Sequence, residues 1–272
     1  MTTSKTKLRL LLIDGDVLAY QAAATTERIV TLDGDNHFPL GSLTEARAAF
    51  DHRLDFLKKT LGTDDCILCF SGDAGANFRR ALYPAYKANR AGKPRPVCLA
   101  ALRKELMADP SLDIRWEANL EADDLLGLFT IYERSEEEER IIVSIDKDLQ
   151  TIPGLFFNLG RPEEGIRYIT PEEADRAFMR QALTGDMTDN YPGCPKYGPA
   201  TADKALAAVP PTIEAMWPVV LAAYEKAGLG PDYALTMARL ARILREGEYD
   251  FDKGEVKLWT PPKSEAATPA VA

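Results

Sequence analysis

The side chains best suited to chemistry in this sequence are carboxylates, and they recur in short, spaced groups. Asp14 and Asp16 follow the apolar run LRLLLI, Asp73 stands three residues beyond CILCF, and Asp146 and Asp148 follow IIVSI. Glu121, Asp123 and Asp124 open the segment EADDLLGLF, and Asp186 and Asp189 sit three apart in GDMTDN. Taken singly, such acids have ordinary explanations: in a helix's first turn they complement the dipole, and in loops they form turns. Gathered in one cleft they repel, so a cluster persists only with cations or with raised pKa values. Oxygen-only ligands select hard ions, which implies Mg²⁺ or Mn²⁺ over zinc or copper.

The remaining residue types narrow the reaction. His37 and His52 are the only histidines and lie outside these groups, which argues against imidazole acid–base catalysis. No serine or cysteine stands beside a suitable base, and GCPKYGPAT (193–201) lacks the Gly-Lys-Ser/Thr ending of a phosphate loop. What remains is phosphodiester hydrolysis assisted by metal ions, which activate water and offset charge on the leaving oxygen. Net charge is −9, yet no acid occurs between Ala74 and Lys104, where Arg79, Arg80, Lys87, Arg90, Lys93, Arg95, Arg103 and Lys104 are basic. Such a stretch suits a phosphate backbone.

The acids need elements to position them. LRLLLI (8–13), CILCF (66–70) and IIVSI (141–145) are short and continuously apolar, as strands buried on both faces of a parallel sheet are. LTEARAAFDHRLDFLKKTLG (43–62) has helical spacing and a closing glycine, so strands and helices alternate and an α/β domain with a mainly parallel sheet follows. Ligands of such sheets bind beyond the strands' carboxyl ends, which is where these acids fall. ERIVTLDGDNHFPL (27–40) predicts a hairpin turning at Asp33-Gly34-Asp35. Thr170-Pro171 starts a helix over 172–183, followed by a Gly/Pro-punctuated loop and helical segments to about residue 246. The tail TPPKSEAATPAVA lacks periodicity and is expected to be disordered.

Composition sets the frame. A chain of 272 residues, 46% apolar and 28% charged, suits one large domain with a small appendage in a globular enzyme. No apolar run approaches the roughly 18 residues a membrane span needs, and the N-terminus reads as a first strand, not a signal peptide. Cys66, Cys69, Cys98 and Cys194 make no disulfide framework, and Cys66-x-x-Cys69 has no second pair to complete a zinc site. Reduced cysteines and a cytoplasmic location are expected.

FRRALYPAYKANR (78–90), EADD (121–124), SIDKDLQ (144–150) and LTGDMTDNYPGCPKYGPATADKAL (183–206) resemble, in this order, the 5′-nuclease superfamily. That superfamily comprises flap endonucleases, the 5′-nuclease domains of bacterial DNA polymerase I and stand-alone phage 5′→3′ exonucleases. The inserted hairpin and the lack of a polymerase region look most like the phage enzymes. The resemblance implies a PIN-like α/β domain over 1–180 with a helical gateway at about 76–105. It implies a helical duplex-binding region over 181–255 with a helix–three-turn–helix, and a tail from 256.

The residue roles that follow belong to the resemblance. Asp14, Asp73, Glu121, Asp123, Asp124 and Asp146 would surround a first metal, and Asp148, Asp186 and Asp189 would lean towards a second. Many members carry Asp directly after the strand-end Phe; this chain has Ser71 there, so Asp73 must serve. Lys87 and Arg90 would act at the scissile phosphate, sharing a helical face. Arg79, Arg80, Lys93 and Arg95 would follow the 5′ strand. Tyr20 would meet the terminal base, its alternative being a core tyrosine. Gly193, Lys196 and Gly198 would lie in a turn that grips duplex phosphate, with K⁺ bound there in many members. The implied activity is a two-Mg²⁺ (or Mn²⁺) 5′→3′ exonuclease and flap endonuclease, monomeric, acting on double-stranded or branched DNA and on RNA in RNA–DNA hybrids. The alternatives are a PIN-type ribonuclease, against which the long helical region argues, and a non-catalytic DNA-binding protein, which would lack the ligands.

Overall fold

A computed structural model describes residues 8–31, 34 and 36–262. β1 (Leu8–Asp14) runs straight into α1 (Gly15–Thr26), because Asp14 caps that helix by accepting a hydrogen bond from the Val17 N–H at 3.0 Å. β2 (Arg28–Thr31) and β3 (His37–Leu40) pair antiparallel as the expected hairpin, while Asp33 and Asp35 of its turn lie outside the described residues. α2 (Leu43–Leu61) starts at the Ser42 cap and ends on Gly62, whose φ of 71° is the left-handed conformation that stops a helix. There follow β4 (Cys66–Phe70), α3 (Phe78–Leu82), α4 (Leu99–Met107), β5 (Ile114–Trp116) and α5 (Ala122–Phe129). β6 (Glu138–Ser144), β7 (Gly154–Asn158) and β8 (Ile166–Ile169) precede α6 (Pro171–Thr184), α7 (Pro199–Leu206), α8 (Ile213–Lys226) and α9 (Pro231–Ala241). A small ladder of β9 (Tyr249–Asp250) and β10 (Glu255–Val256) follows.

The main sheet has the order β5-β4-β1-β6-β7-β8, parallel throughout except for the antiparallel β8. The three strands foreseen from apolar runs are its adjacent centre, β4-β1-β6, buried on both faces. One face packs α1, α2 and α4 around Phe50, Leu68 and Phe70; the other packs α5 around Leu12, Leu126 and Ile142. Cys66 and Cys69 face these opposite layers, and all four cysteines are free thiols. α6 to α9 form a third cluster around Met216, Tyr224 and Met237.

Three expectations need correction. The stretch at about 76–105 is helical only in α3, a 3-10 turn at Ala88–Arg90 and α4; Pro84, Pro94 and Pro96 interrupt it. The boundary at 180 falls inside α6, which sends Phe178, Met179, Ala182 and Leu183 into the helical cluster, so the helical unit begins with α6. Nor does the tail start at 256: Val256 pairs with Tyr249, and the Trp259 ring packs edge-on at 5.2 Å against both Phe178 and Trp217. Residues 263–272 of the expected tail lie outside the described residues.

Candidate active site

Parallel pairing brings β1 and β6 side by side with Ile13 opposite Val143, so the next residues, Asp14 and Ser144, meet at the sheet's carboxyl edge. The Ser144 hydroxyl donates to Asp14 Oδ2 at 2.9 Å and accepts from the Asp146 N–H at 3.1 Å. Asp146 in turn caps the 3-10 turn Lys147–Thr151, accepting from the Asp148 N–H at 2.8 Å. Burial first, then the like charges of Asp16 and Asp146, push the Asp14 carboxyl up to about 7, against opposing hydrogen bonds from Val17 and Ser144. Asp123, in the first turn of α5, is pushed well up by burial and then by Asp14 and Asp146. Asp14, Asp123 and Asp146 thus share one field.

Asp148 and Asp186 form a second group. Asp148 is raised to about 7 by burial and then by the like charges of Asp146 and Asp186. The Gln181 amide, from α6, donates to Asp148 Oδ2 at 2.9 Å.

Glu121 and Asp189 form a third group that already holds cations. Lys87 Nζ contacts Glu121 and lies 3.4 Å from Asp189, while Arg90 meets Asp189 at 2.6 Å. The Tyr86 hydroxyl lies 2.7 Å from Glu121 and 3.0 Å from Asp189. Burial would raise Glu121, but Lys87 and Arg79 outweigh it and hold the carboxyl at about 2. Lys87 has φ 54°, the left-handed region, and its N–H donates to the Asp189 carbonyl at 2.8 Å. It precedes the 3-10 turn, so Lys87 and Arg90 converge through one shared acid instead of one helical face.

Asp124 and Arg79 engage each other. Asp124 is fully buried and takes two hydrogen bonds of 2.7 Å from Arg79, with two more from the Leu244 and Glu121 N–H groups, so its carboxylate is engaged within the protein. Arg79 is 2% exposed and spends its other donors on the Leu240 and Arg242 carbonyls, so it cannot touch DNA. Gly193 also packs inside: with φ 66° and space for a Cβ only 2.2 Å from the Gly185 nitrogen, it faces the end of α6 and not a ligand. Gly198, by contrast, caps α7 with open space around it, and Lys196 is exposed beside it. Asp73 is exposed, and its carboxylate accepts from the Gly75 N–H at 2.8 Å within its own turn. Asp16 takes the position beyond β4, accepting from the Ser71 N–H at 2.8 Å with Arg103 3.5 Å away.

A cleft of about 1130 Å³ takes Glu121, Lys87 and Arg90 of the third group into its lining. Asp16, Asp73, Glu121 and Tyr20 line it together with Arg80, Lys87, Arg90, Lys93, Arg95, Arg103 and Lys104. Tyr20 is 48% exposed, which rules out the core alternative. Among the described residues, no three Asp, Glu, His or Cys side chains are drawn together tightly enough to ligate an ion as they stand. The chemistry of the donor set nevertheless fits a hard cation: all-oxygen groups at Asp14, Asp123 and Asp146, and at Asp148 and Asp186, whose mutual repulsion a cation relieves. Of the other residues at these groups, Gln181 carries no sequence signal, while Ser144, Tyr86 and Tyr191 lie inside the quoted motifs without being singled out there. Only Asp16, two residues from Asp14, was marked by its spacing.

The chain is similar to known nucleases. Residues 9–160 match the family described as 5′-3′ exonuclease, N-terminal resolvase-like domain. An exodeoxyribonuclease of Enterobacteria phage T3 is 27% identical over 283 aligned residues, covering 93% of each chain. The exonuclease of Escherichia phage T7 is 26% identical over the same coverage. The thermostable DNA polymerase I of Thermus aquaticus is 29% identical over 74% of this chain but only 24% of its own length. The T5 5′-exonuclease, solved with divalent zinc, superposes with a TM-score of 0.63 at 14% identity, over 86% of this chain and 89% of that one, a shared fold. Among the described residues, no helix is long and apolar enough to cross a membrane. The strand-end acids, the basic cleft and the match over 9–160 agree: this chain belongs to the 5′-3′ exonuclease family.

Proposed function

We propose that this protein is a divalent-metal-dependent 5′→3′ exodeoxyribonuclease that also cuts 5′ flaps. The observation that carries the reading is the cleft itself, where strand-end acids face a row of cations beside an exposed aromatic ring. Bound by the acids, Mg²⁺ or Mn²⁺ supplies Lewis acidity and lowers the pKa of water. Asp14, Asp123 and Asp146 would hold the first ion, and Asp148 and Asp186 would hold the second. Glu121 and Asp189 seat Lys87 and Arg90 at the cleft's mouth, where both can meet a phosphate. Arg80, Lys93, Arg95, Arg103 and Lys104 neutralise the backbone of the entering strand. Tyr20 stacks on the terminal base. The N-terminus of α7 at Gly198, with Lys196 beside it, grips duplex phosphate, and the Gly193–Gly198 turn would be the place for a K⁺ ion. The protein acts as a monomer in the cytoplasm, on DNA with a 5′ end or 5′ flap and on RNA within hybrids.

Digestion of one 5′-labelled duplex and one 5′-flap substrate tests the reading. Mg²⁺ should release short labelled products from the duplex and a flap-length oligonucleotide from the branched substrate. Cleavage that persists in chelator, or that attacks single-stranded RNA alone, would overturn it.

A further inference from the structure

Beyond the acids, the second group contains two polar side chains whose hydrogen bonding is incomplete. α6 ends at Gly185, whose φ of 64° turns the chain back on itself. Asp186 and Tyr191 then exchange both backbone hydrogen bonds at 3.0 Å, and Gly193 packs against Gly185 with no space for a side chain on either. Gln181, Asp186 and Tyr191 are therefore fixed in one rigid corner. Asp148 reaches this corner from the 3-10 turn after β6 and receives the Gln181 amide at 2.9 Å. The other end of that amide, Gln181 Oε1, and the Tyr191 hydroxyl are both buried without a partner among the described protein atoms. Tyr191 is 1% exposed, and its hydroxyl lies in the field of Asp148, Asp186 and Asp189.

Buried polar groups in native proteins find partners in protein, water or ions. A small divalent cation keeps several of its waters when only one or two carboxylates bind it, and the hydrogens of those waters need acceptors. Resting on the two-ion reading above, we infer that Gln181 and Tyr191 are positioning residues of the second cation site. Gln181 orients Asp148 through its N–H, while Gln181 Oε1 and the Tyr191 oxygen accept hydrogens from waters on the ion. Outer partners of this kind set metal affinity without touching the metal. A merely architectural role, tying α6 to the turn at 147–151, would act through the metal-free fold and would not single out the second ion.

Gln181→Met and Tyr191→Phe remove the polar atoms at nearly constant shape. In the full chain, with a non-cleavable 5′-phosphorylated duplex present, Mn²⁺ is titrated while unbound Mn²⁺ is followed by electron paramagnetic resonance. Wild type should take up two ions. Each variant should weaken the second by at least about tenfold, the lower end expected for outer-partner changes. The first ion's affinity and the melting temperature in chelator should hold. Wild-type affinities for both ions in both variants overturn the inference. So does parallel loss of both ions together with the metal-free melt, which is the architectural outcome. A wild type that takes up one ion only defeats the two-ion reading itself.

Discussion

At the scale of single residues, the same side-chain type plays different parts according to what it touches. Asp146 and Asp124 are both acids of recurring motifs, yet Asp146 stands in the field of Asp14 and Asp123, while Asp124 is consumed by Arg79. Asp146→Asn is expected to lower cleavage at least about a thousandfold by removing metal stabilisation of developing charge, with DNA binding retained. Single-turnover rates and binding in Ca²⁺ check this. Lys87→Ala should depress the single-turnover rate more than affinity, because Glu121 and Asp189 hold that ammonium beside the acids. Lys93→Ala and Arg95→Ala, on the cleft wall, should instead weaken binding and flatten its salt dependence by about one counterion each. The raised carboxyls make a third residue-scale prediction. Asp14 and Asp148 hold their protons up to about 7 in the folded chain, whereas an unfolded aspartate releases its proton near the ordinary value of 3.8. Between those values the native state binds more protons, so stability falls as pH rises. Melts in chelator should therefore decline from about pH 5 to about pH 8, and Mg²⁺ should reverse the decline at the upper end. A flat metal-free profile would remove the electrostatic case for a cation site.

At the scale of elements, the connection between α6 and α7 separates two glycines that look alike in sequence. Gly193 sits where a Cβ would lie 2.2 Å from backbone at positive φ, whereas Gly198 has open space and ordinary φ. Gly193→Ala should lower the melting temperature and disturb the corner that holds Asp186. Gly198→Val should melt like wild type yet lose duplex binding, with single-strand binding changed much less, because its bulk intrudes on the N-terminus of α7. Equal losses on both substrates would count against that contact. The strands divide in the same way. β1, β4 and β6 were legible because burial on both faces demands a continuous apolar run. β5 (IRW), β7 (GLFFN) and β8 (IRYI) were not, being short and, in β5 and β8, largely exposed at the sheet's edges.

At the scale of the whole molecule, the Arg79–Asp124 pair joins α3, α5 and the segment from Leu240 to Leu244 in the helical region. Arg79→Ala leaves a buried carboxylate uncompensated, and a cost of about 3–5 kcal/mol is expected from denaturant unfolding. A DNA-contacting arginine would instead leave the unfolding midpoint unchanged. Local pattern alone settled the α/β class, the acids at strand ends, the hairpin and the basic stretch, because strand burial, helix periodicity and turn chemistry are written within a few residues. Tertiary structure decided which charges remain free. Arg79 and Asp124 are 45 positions apart, Lys87 and Glu121 34, and Gln181 and Asp148 33. No short-range pattern reports such pairings, because strand register and helix packing set them. Burial then makes each pairing decisive, since an ion that has lost its water must take a partner or lose its charge.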